Sequence, residues 1–501
     1  MSLRVPIALV LLSLQTAASS DERYGSEALG PPENPSVEQT LPASVLGDRD
    51  CVDFRVVPGM KLGLADALLI AICRDPKLRK AAYEIAEQHA LRGATMARYW
   101  PTISGELSTN MIRKDVKFPS TPFANYSLRG ASGGASLSLR WLLADFGGRQ
   151  GEVESAARML EAALRVKSDL GRSVAIAVVE TYLKARSSSA SVLAFAEGER
   201  LARESANNAE ALHRGGVASP SDILLAQASV TQIQLRKAQS QSDMRTAIAD
   251  LAAQLSLPRT TQLAVSTDDS EAGLYVSPQL LKASLQDVVN SSPRVLAAER
   301  QVRAAEARVQ VAKSEGMPTL TLTGSAYRTL TPPMESVTAQ TVTGASVGLQ
   351  VTIPIFEGYL RRERMQAAIA QHDARVADME IITREVEAQV WKGQESLTLE
   401  GERMTIAGRQ VEVTRKAFLL SAGRYRAGVG SIVELLKAQS DLVEAQQQKA
   451  KVKVDWQAAK IRLAIMLGEL EVQGVVAGPL DRPNLSDSPC ARGHGSTCKQ
   501  N

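Results

Sequence analysis

The sequence predicts a mostly α-helical chain with a small β-barrel part, laid down twice. Three observations lead there: matched anchors recurring in one order some 210 to 217 positions apart, two long proline-free helical stretches, and one pair of period-two segments in each half. Asp75-Pro76-Lys77-Leu78 pairs with Ser292-Pro293-Arg294-Val295, and Pro101-Thr102-Ile103 with Pro318-Thr319-Leu320. Asp145-Phe146-Gly147-Gly148 is set on Ile355-Phe356-Glu357-Gly358 at an offset of 210. Arg214-Gly215-Gly216-Val217 falls on Arg426-Ala427-Gly428-Val429 at 212, and Leu224-Leu225-Ala226-Gln227 on Leu436-Lys437-Ala438-Gln439. The chain reads as a tandem duplication: a first repeat over 59–265 and a second over 275–470.

In chain order, residues 1–20 read as a signal peptide. Arg4 precedes an apolar run from Val5 to Leu14 that is too short to span a bilayer, and small residues follow at Ala18-Ser19-Ser20. A Pro/Ser-rich segment occupies 21–58. Each repeat then opens with a helical stretch, about 63–99 and 278–315, stopped by Pro101 and Pro318. A β-hairpin follows in each, at about 101–146 and 318–356. Leu320 and Leu322 alternate with threonines, and Val347, Leu349, Val351 and Ile353 with polar or small residues. Ile103 and Leu107, then Leu137, Leu139 and Trp141, do the same in the first copy. The intervening Ser/Thr/Gly/Pro-rich segments, about 113–133 and 330–341, are expected to be loops, leaving strands of roughly ten to thirteen residues.

Beyond each hairpin a helical stretch runs from Gly148 and from Gly358 without proline, long enough for a rod of about 100 Å. A Gly-rich turn reverses the chain into helices over about 220–256 and 431–468. Their apolar seams are Ile223, Ala226, Val230, Ile233, Met244, Ile248, Leu251 and Leu255, and Val452, Trp456, Ala459, Leu463 and Met466. The tail, 471–501, is rich in Pro, Gly and Ser.

Composition limits the function. Of 501 residues 44% are hydrophobic, enough for a large core or interface, so wholesale disorder is excluded. A formal net charge of +4 from 58 basic and 54 acidic residues, with no basic stripe interleaved with aromatics, gives nucleic-acid binding no support. His89, His213, His372 and His494 are scattered and read as solvated surface residues. No H-E-x-x-H, P-loop or G-x-S-x-G stands in a suitable setting, so no enzyme activity, cofactor or metal is expected. Cys51, Cys73, Cys490 and Cys498 allow three connectivities in an exported chain; the local pairs Cys51–Cys73 and Cys490–Cys498 are preferred.

Four strands cannot close a barrel, for which about eight is the practical minimum, so copies must combine. The order helix, hairpin, long helix, Gly turn and return helix, with the duplicated motifs above and Tyr425-Arg426-Ala427-Gly428-Val429-Gly430-Ser431 before Leu435-Leu436-Lys437-Ala438-Gln439, resembles the TolC family of outer-membrane efflux and secretion channels over about residues 60–470. The resemblance implies a homotrimer with a twelve-stranded barrel in outer-membrane lipid and a coiled-coil tunnel through the periplasm. It implies docking to a periplasmic adaptor (a membrane fusion protein) and to an inner-membrane pump or ABC transporter.

Carried over by position, the adaptor-docking turns are Gly215-Gly216-Val217 and Ala427-Gly428-Val429. Asp222 and Tyr425 match the family's aperture lock, whereas Gly430 stands where its Arg would be, with Arg426 nearby. Glu434 matches one inward acid of the constriction and Lys437 replaces the other, implying weaker cation selectivity. Cys51, Leu62–Leu68 and Cys73 look more like the protein-secretion branch. The alternative reading is an exported periplasmic coiled-coil scaffold or adaptor without a pore.

Overall fold

The computed structural model describes residues 61–120, 126–258, 263–266, 285–331 and 340–468. The chain divides into two units, Met1–Leu46, outside the described residues, and Gly47–Asn501, to which all that follows belongs. The expected signal peptide and tail, with Cys51, Cys490, Cys498 and His494, also lie outside them.

The opening helical stretch of each repeat is not continuous. In the first, α1 (Leu64–Arg74) stops before Asp75, and α2 (Pro76–Ala97) begins with Asp75 as N-cap, its carboxylate accepting from the Lys77 amide at 2.6 Å. Proline has no amide to donate and is suited to the first helical position, so Asp75-Pro76 restarts the helix instead of extending it. Ser292-Pro293 repeats the break between α5 (Leu285–Ser291) and α6 (Pro293–Ser314). Cys73, on α1, is disulfide-bonded.

Helices α3 (Gly148–Arg214) and α7 (Leu360–Arg426) contain 67 residues each, about 100 Å at 1.5 Å per residue. Helices α4 (Pro220–Gln254) and α8 (Ile432–Leu467) return antiparallel to them. The main core lies where α1, α3, α4 and α8 meet, around Leu64, Leu68, Val178, Leu183, Leu251, Leu255, Ile461 and Ile465. Two short parallel strands, β1 (Lys61–Leu62) and β4 (Ala264–Val265), close its rim, and the buried Tyr182 hydroxyl donates to the Leu62 carbonyl.

The hairpins are β2 (Thr102–Val116) with β3 (Tyr126–Ala144) and β5 (Thr319–Thr331) with β6 (Gln340–Thr352). They join into one antiparallel sheet of order β2-β3-β5-β6. The first hairpin is longer than expected, with strands of 15 and 19 residues. Much of the Ser/Gly segment expected as loop is strand, because small polar side chains on one face of a sheet look like loop composition. Cross-strand partners share a face. The pairs Ile103↔Leu139, Trp141↔Leu322 and Leu322↔Leu349 therefore put the large apolar residues on one side. Ser104↔Ser138, Arg140↔Thr323 and Ser325↔Ser346 lie on the other, where two serine pairs hydrogen-bond at 2.7 and 2.9 Å. In the single chain the apolar face is bare: Leu107 is 87% exposed and Val347 81%.

Candidate functional site

The two ends of the long helices concentrate the structural detail. At the sheet end, Arg149 is buried in the first turn of α3. Its guanidinium donates to the carbonyls of Leu142 and Leu143 at 2.7 and 3.1 Å, pairs with Asp145 at 3.2 Å, and lies over the Tyr99 ring. Arg361 does the same in the second repeat, donating to the Gly316 and Ile355 carbonyls and pairing with Glu357 at 3.3 Å. These pairs correct the repeat register. Asp145 and Arg149 correspond to Glu357 and Arg361, and the left-handed Phe146-Gly147 to the left-handed Gly358-Tyr359, all 212 positions on. An offset of 210 superposes Phe146 on Phe356 but leaves the acid–arginine pairs out of step. Neither arginine was singled out from sequence; the recurrence of acid, three residues and Arg at a constant 212 is the signal that would have found them.

At the other end, the two reversals are built alike. Gly216 and Gly428 are left-handed, at φ +77° and +73°. The Gly216 amide donates to the His213 carbonyl and the Val217 amide to that of Leu212; Gly428 and Val429 donate likewise to Tyr425 and Arg424. Both turns are thus Schellman C-caps, which satisfy the last helical carbonyls and need a residue free to adopt positive φ. Ser219 then caps α4, accepting from the Asp222 amide, and Ser431 caps α8, accepting from the Val433 amide. Gly215 and Ala427 are ordinary helix-ending residues with negative φ, while Val217 and Val429 project into solvent. His213 is half-buried, its Nδ1 at 2.8 Å from the Ala218 carbonyl, which corrects its reading as a solvated surface residue.

Between the tips, Tyr425 packs in an apolar cluster with Ala206, Ala209, Ala226, Ile432 and Leu435. Burial, and next the Asp222 carboxylate, push its phenol above the usual value. Its hydroxyl nevertheless makes no hydrogen bond within the described residues, and Asp222 accepts from Ser219 Oγ at 2.9 Å. The two residues expected to form a lock are neighbours without a bond. Arg426 turns to Glu204 on α3 at 2.6 Å. A Cβ at Gly430 would stand 2.9 Å from the Tyr425 amide nitrogen, so this backbone accepts no arginine there. Glu434 is exposed in the first turn of α8, where the helix dipole favours a carboxylate, and Lys437 pairs with Asp441 at 2.6 Å.

Higher up, sequence reasoning also missed Gln439, fully buried on α8, which accepts from Ser205 Oγ of α3 at 3.0 Å. Glu199 was missed too; it ties α3 to α4 through Lys237 and Gln234. Among the described residues no helix is long and apolar enough to cross a membrane, and no group of three or more His, Cys, Asp or Glu is placed to hold a metal ion.

Two long helical hairpins running on into a two-faced sheet with open edges define the protomer of a pore-forming membrane protein. The family model described as outer membrane efflux protein matches residues 68–256 and 284–469, one stretch in each repeat. The chain belongs to that family. It is 28% identical over 409 residues to protein CyaE of Bordetella pertussis, covering 82% of this chain and 84% of that one. It is also 28% identical over 348 residues to the pyoverdine export outer membrane protein OpmQ of Pseudomonas putida, covering 67% and 70%. Among solved structures, CusC superposes with a TM-score of 0.70 at 16% identity, covering 83% of this chain and 95% of that chain. The outer-membrane channel OprN gives 0.66 at 22% identity, over 81% and 89%. The protein is accordingly an outer-membrane transport channel with a helical tunnel in the periplasm, and not an enzyme.

Proposed function

We propose that three copies close their four-stranded sheets into one twelve-stranded barrel, forming the passive exit duct of an export system. The observation that carries this reading is the sheet itself. Its apolar face is exposed, and β2 and β6 are unpaired edges of 15 and 13 residues. Long bare edges are a liability that barrel closure removes. Lipid covers the apolar face, the serine and threonine face lines the lumen, and joining β6 of one copy to β2 of the next satisfies both edges.

In this reading the paired helices extend the duct through the periplasm, and the two Schellman turns with Val217 and Val429 are where an adaptor docks. Tyr425 holds the mouth by filling the space between the hairpins, with Asp222 beside it and the Arg426–Glu204 pair bracing the outside. Glu434 and Lys437 place opposite charges near the constriction, which weakens cation selectivity. The disulfide-bonded Cys73 on α1 takes Cys51 as its partner in this reading, and Cys490 takes Cys498; the last three lie outside the described residues. Energy and most of the cargo choice come from the pump, an ABC transporter where the cargo is a protein; the segment around Cys51, Leu62–Leu68 and Cys73 favours protein secretion.

Light scattering of the detergent-extracted protein tests the assembly. A trimer that also gives discrete single-channel steps in a planar bilayer is expected. A monomer found in the soluble periplasm would hand the case to a scaffold without a pore. Cargo is tested by deleting the gene: loss of a secreted polypeptide with unchanged sensitivity to toxic small molecules is expected, and the reverse would assign small-molecule efflux.

A further inference from the structure

The apolar face of the sheet is not uniform along its length. Every second residue from Ile103 to Met111 on β2, Ala131 to Trp141 on β3, Leu320 to Ala326 on β5 and Ala345 to Val351 on β6 lies on it, and none of these is charged. The last two positions of that face, at the end away from the helices, read differently. They are Arg113 and Asp115 on β2 and, by register, Arg129 and Ser127 on β3. On β5 they are Arg328 and Leu330, and on β6 two threonines. Every charge that the register puts on this face is therefore at one end.

The three arginines hold one level. Each stands three residues inside the outer end of its strand: β2 ends at Val116, β3 begins at Tyr126 and β5 ends at Thr331. Ile103 and Arg113 are ten residues apart, about 33 Å along a strand and about 25 Å in height at a tilt of about 40°. That is about the height of the apolar band of an outer-membrane barrel. The helices leave from the opposite end of the sheet, toward the periplasm, so the arginines fall at the level of the outward-facing headgroups.

The cationic charge is poorly answered within the chain. Arg113 and Arg129 are register partners, and like charges directly opposite each other weaken a strand pair. Asp115 lies 4.0 Å from Arg113 Nε and also accepts from Ser127 Oγ at 2.7 Å. Arg328 is exposed and has no ion pair among the described residues. Three arginines against one aspartate leave this collar cationic, whereas the periplasmic end of the same face carries no charge.

We propose that the collar of Arg113, Arg129 and Arg328 binds phosphate groups on the lipid headgroups of the outer leaflet; this rests on the barrel reading above. A guanidinium presents paired N–H donors that match two phosphate oxygens, and a phosphate shared by opposed arginines removes their repulsion. The charge cost of an outward-facing arginine is large at the bilayer midplane and small at its surface, so this level is where such residues can stand. The collar then fixes the depth of the barrel in the membrane from its outer side only.

The test uses the full-length protein, extracted from outer membranes and washed free of lipid in detergent. Its thermal unfolding is followed against diphosphorylated lipid A, the same glycolipid with its phosphates removed, and inorganic phosphate. A saturable rise in melting temperature is expected with the phosphorylated lipid alone. The variant Arg113→Gln, Arg129→Gln, Arg328→Gln should need about tenfold more lipid or higher to reach half the rise, and Arg→Lys at the same positions should lie between it and wild type. Arg140→Gln, on the serine face of β3, should titrate like wild type. Equal responses to the two lipids, or a triple Gln variant that titrates like wild type, would overturn the collar while a trimer by light scattering left the barrel standing. An equal rise with inorganic phosphate would overturn the lipid assignment. A monomer by light scattering would remove barrel and collar together.

Discussion

Ser205 donates its hydroxyl to Gln439 Oε1 at 3.0 Å across the contact between α3 and α8, while Gln439 Nε2, fully buried, has no partner among the described residues. A half-satisfied amide between two helices is costly to disturb from one side and cheap to remove outright. Ser205→Ala should lower stability by about 1–3 kcal/mol, because both polar ends of the amide are then unmatched. Ser205→Ala with Gln439→Leu should recover most of that loss. Thermal unfolding of the two variants decides; equal losses would contradict the account.

Tyr425 is held by packing. Tyr425→Phe removes a hydroxyl that has no hydrogen bond among the described residues, so stability should change by less than about 1 kcal/mol and single-channel conductance should stay the same. Tyr425→Ala empties the cluster of Ala206, Ala209, Ala226, Ile432 and Leu435 and should cost about 3 kcal/mol or more while raising conductance. If Phe opened the channel as far as Ala does, the hydroxyl would be acting through a bond to another subunit.

The two tip glycines should differ. Alanine at Gly216 meets open space and bears only the left-handed backbone, about 1 kcal/mol. Alanine at Gly428 bears the same backbone cost and in addition crowds Val217 Cγ1 at 3.1 Å. Melting temperatures should fall further for Gly428→Ala, and Val217→Ala should narrow the gap.

Glu199 makes the tie between α3 and α4 acid-resistant. Hydrogen bonds from Lys237, Gln234 and Arg203 hold its carboxyl down to about 2. An acid depressed in the folded state stabilises fully above its unfolded value, about 4.3, and loses that contribution as pH falls toward the folded value. The melting difference between wild type and Glu199→Gln should thus be constant from pH 7 to about 5 and shrink between about 4 and 2. A difference that grew on acidification would reverse the sign and refute the assignment.

At the sheet end, Arg149→Ala should be more damaging than Arg361→Ala. Arg149 is buried and donates to carbonyls at 2.7 and 3.1 Å; Arg361 is more exposed and reaches its carbonyls only at 3.3 and 3.4 Å. Losses of about 3 and about 1 kcal/mol are expected by chemical unfolding of the extracted protein.

The long helices and their turns were legible in the sequence because each rests on local rules: proline-free periodicity, then glycine where a left-handed residue is required. The Pro101 and Pro318 stops and the alternation at Leu320–Leu322 located the hairpins for the same reason. What escaped depended on partners distant in sequence. Strand β3 extends through Gly130–Gly134 because β2 and β5 pair with it, which composition cannot reveal. The true register of the junction follows the Asp145–Arg149 and Glu357–Arg361 pairs, not the more conspicuous phenylalanines. At the mouth, position alone suggested a bond between Tyr425 and Asp222, but rotamer and burial decide where a hydroxyl points.

Equal rods have a mechanical corollary. A tube whose two kinds of stave match residue for residue ends in a level rim, and a partner can seat on all its tips at once. Deleting seven residues from α3 alone would leave one class of tip about 10 Å short and tilt neighbouring strokes of the rim against each other. Deleting matched heptads from α3, α4, α7 and α8 would instead shorten the whole duct and keep the rim level. Reach across the periplasm is then an adjustable dimension, set in steps of two helical turns and limited only by how far the adaptor and pump can follow.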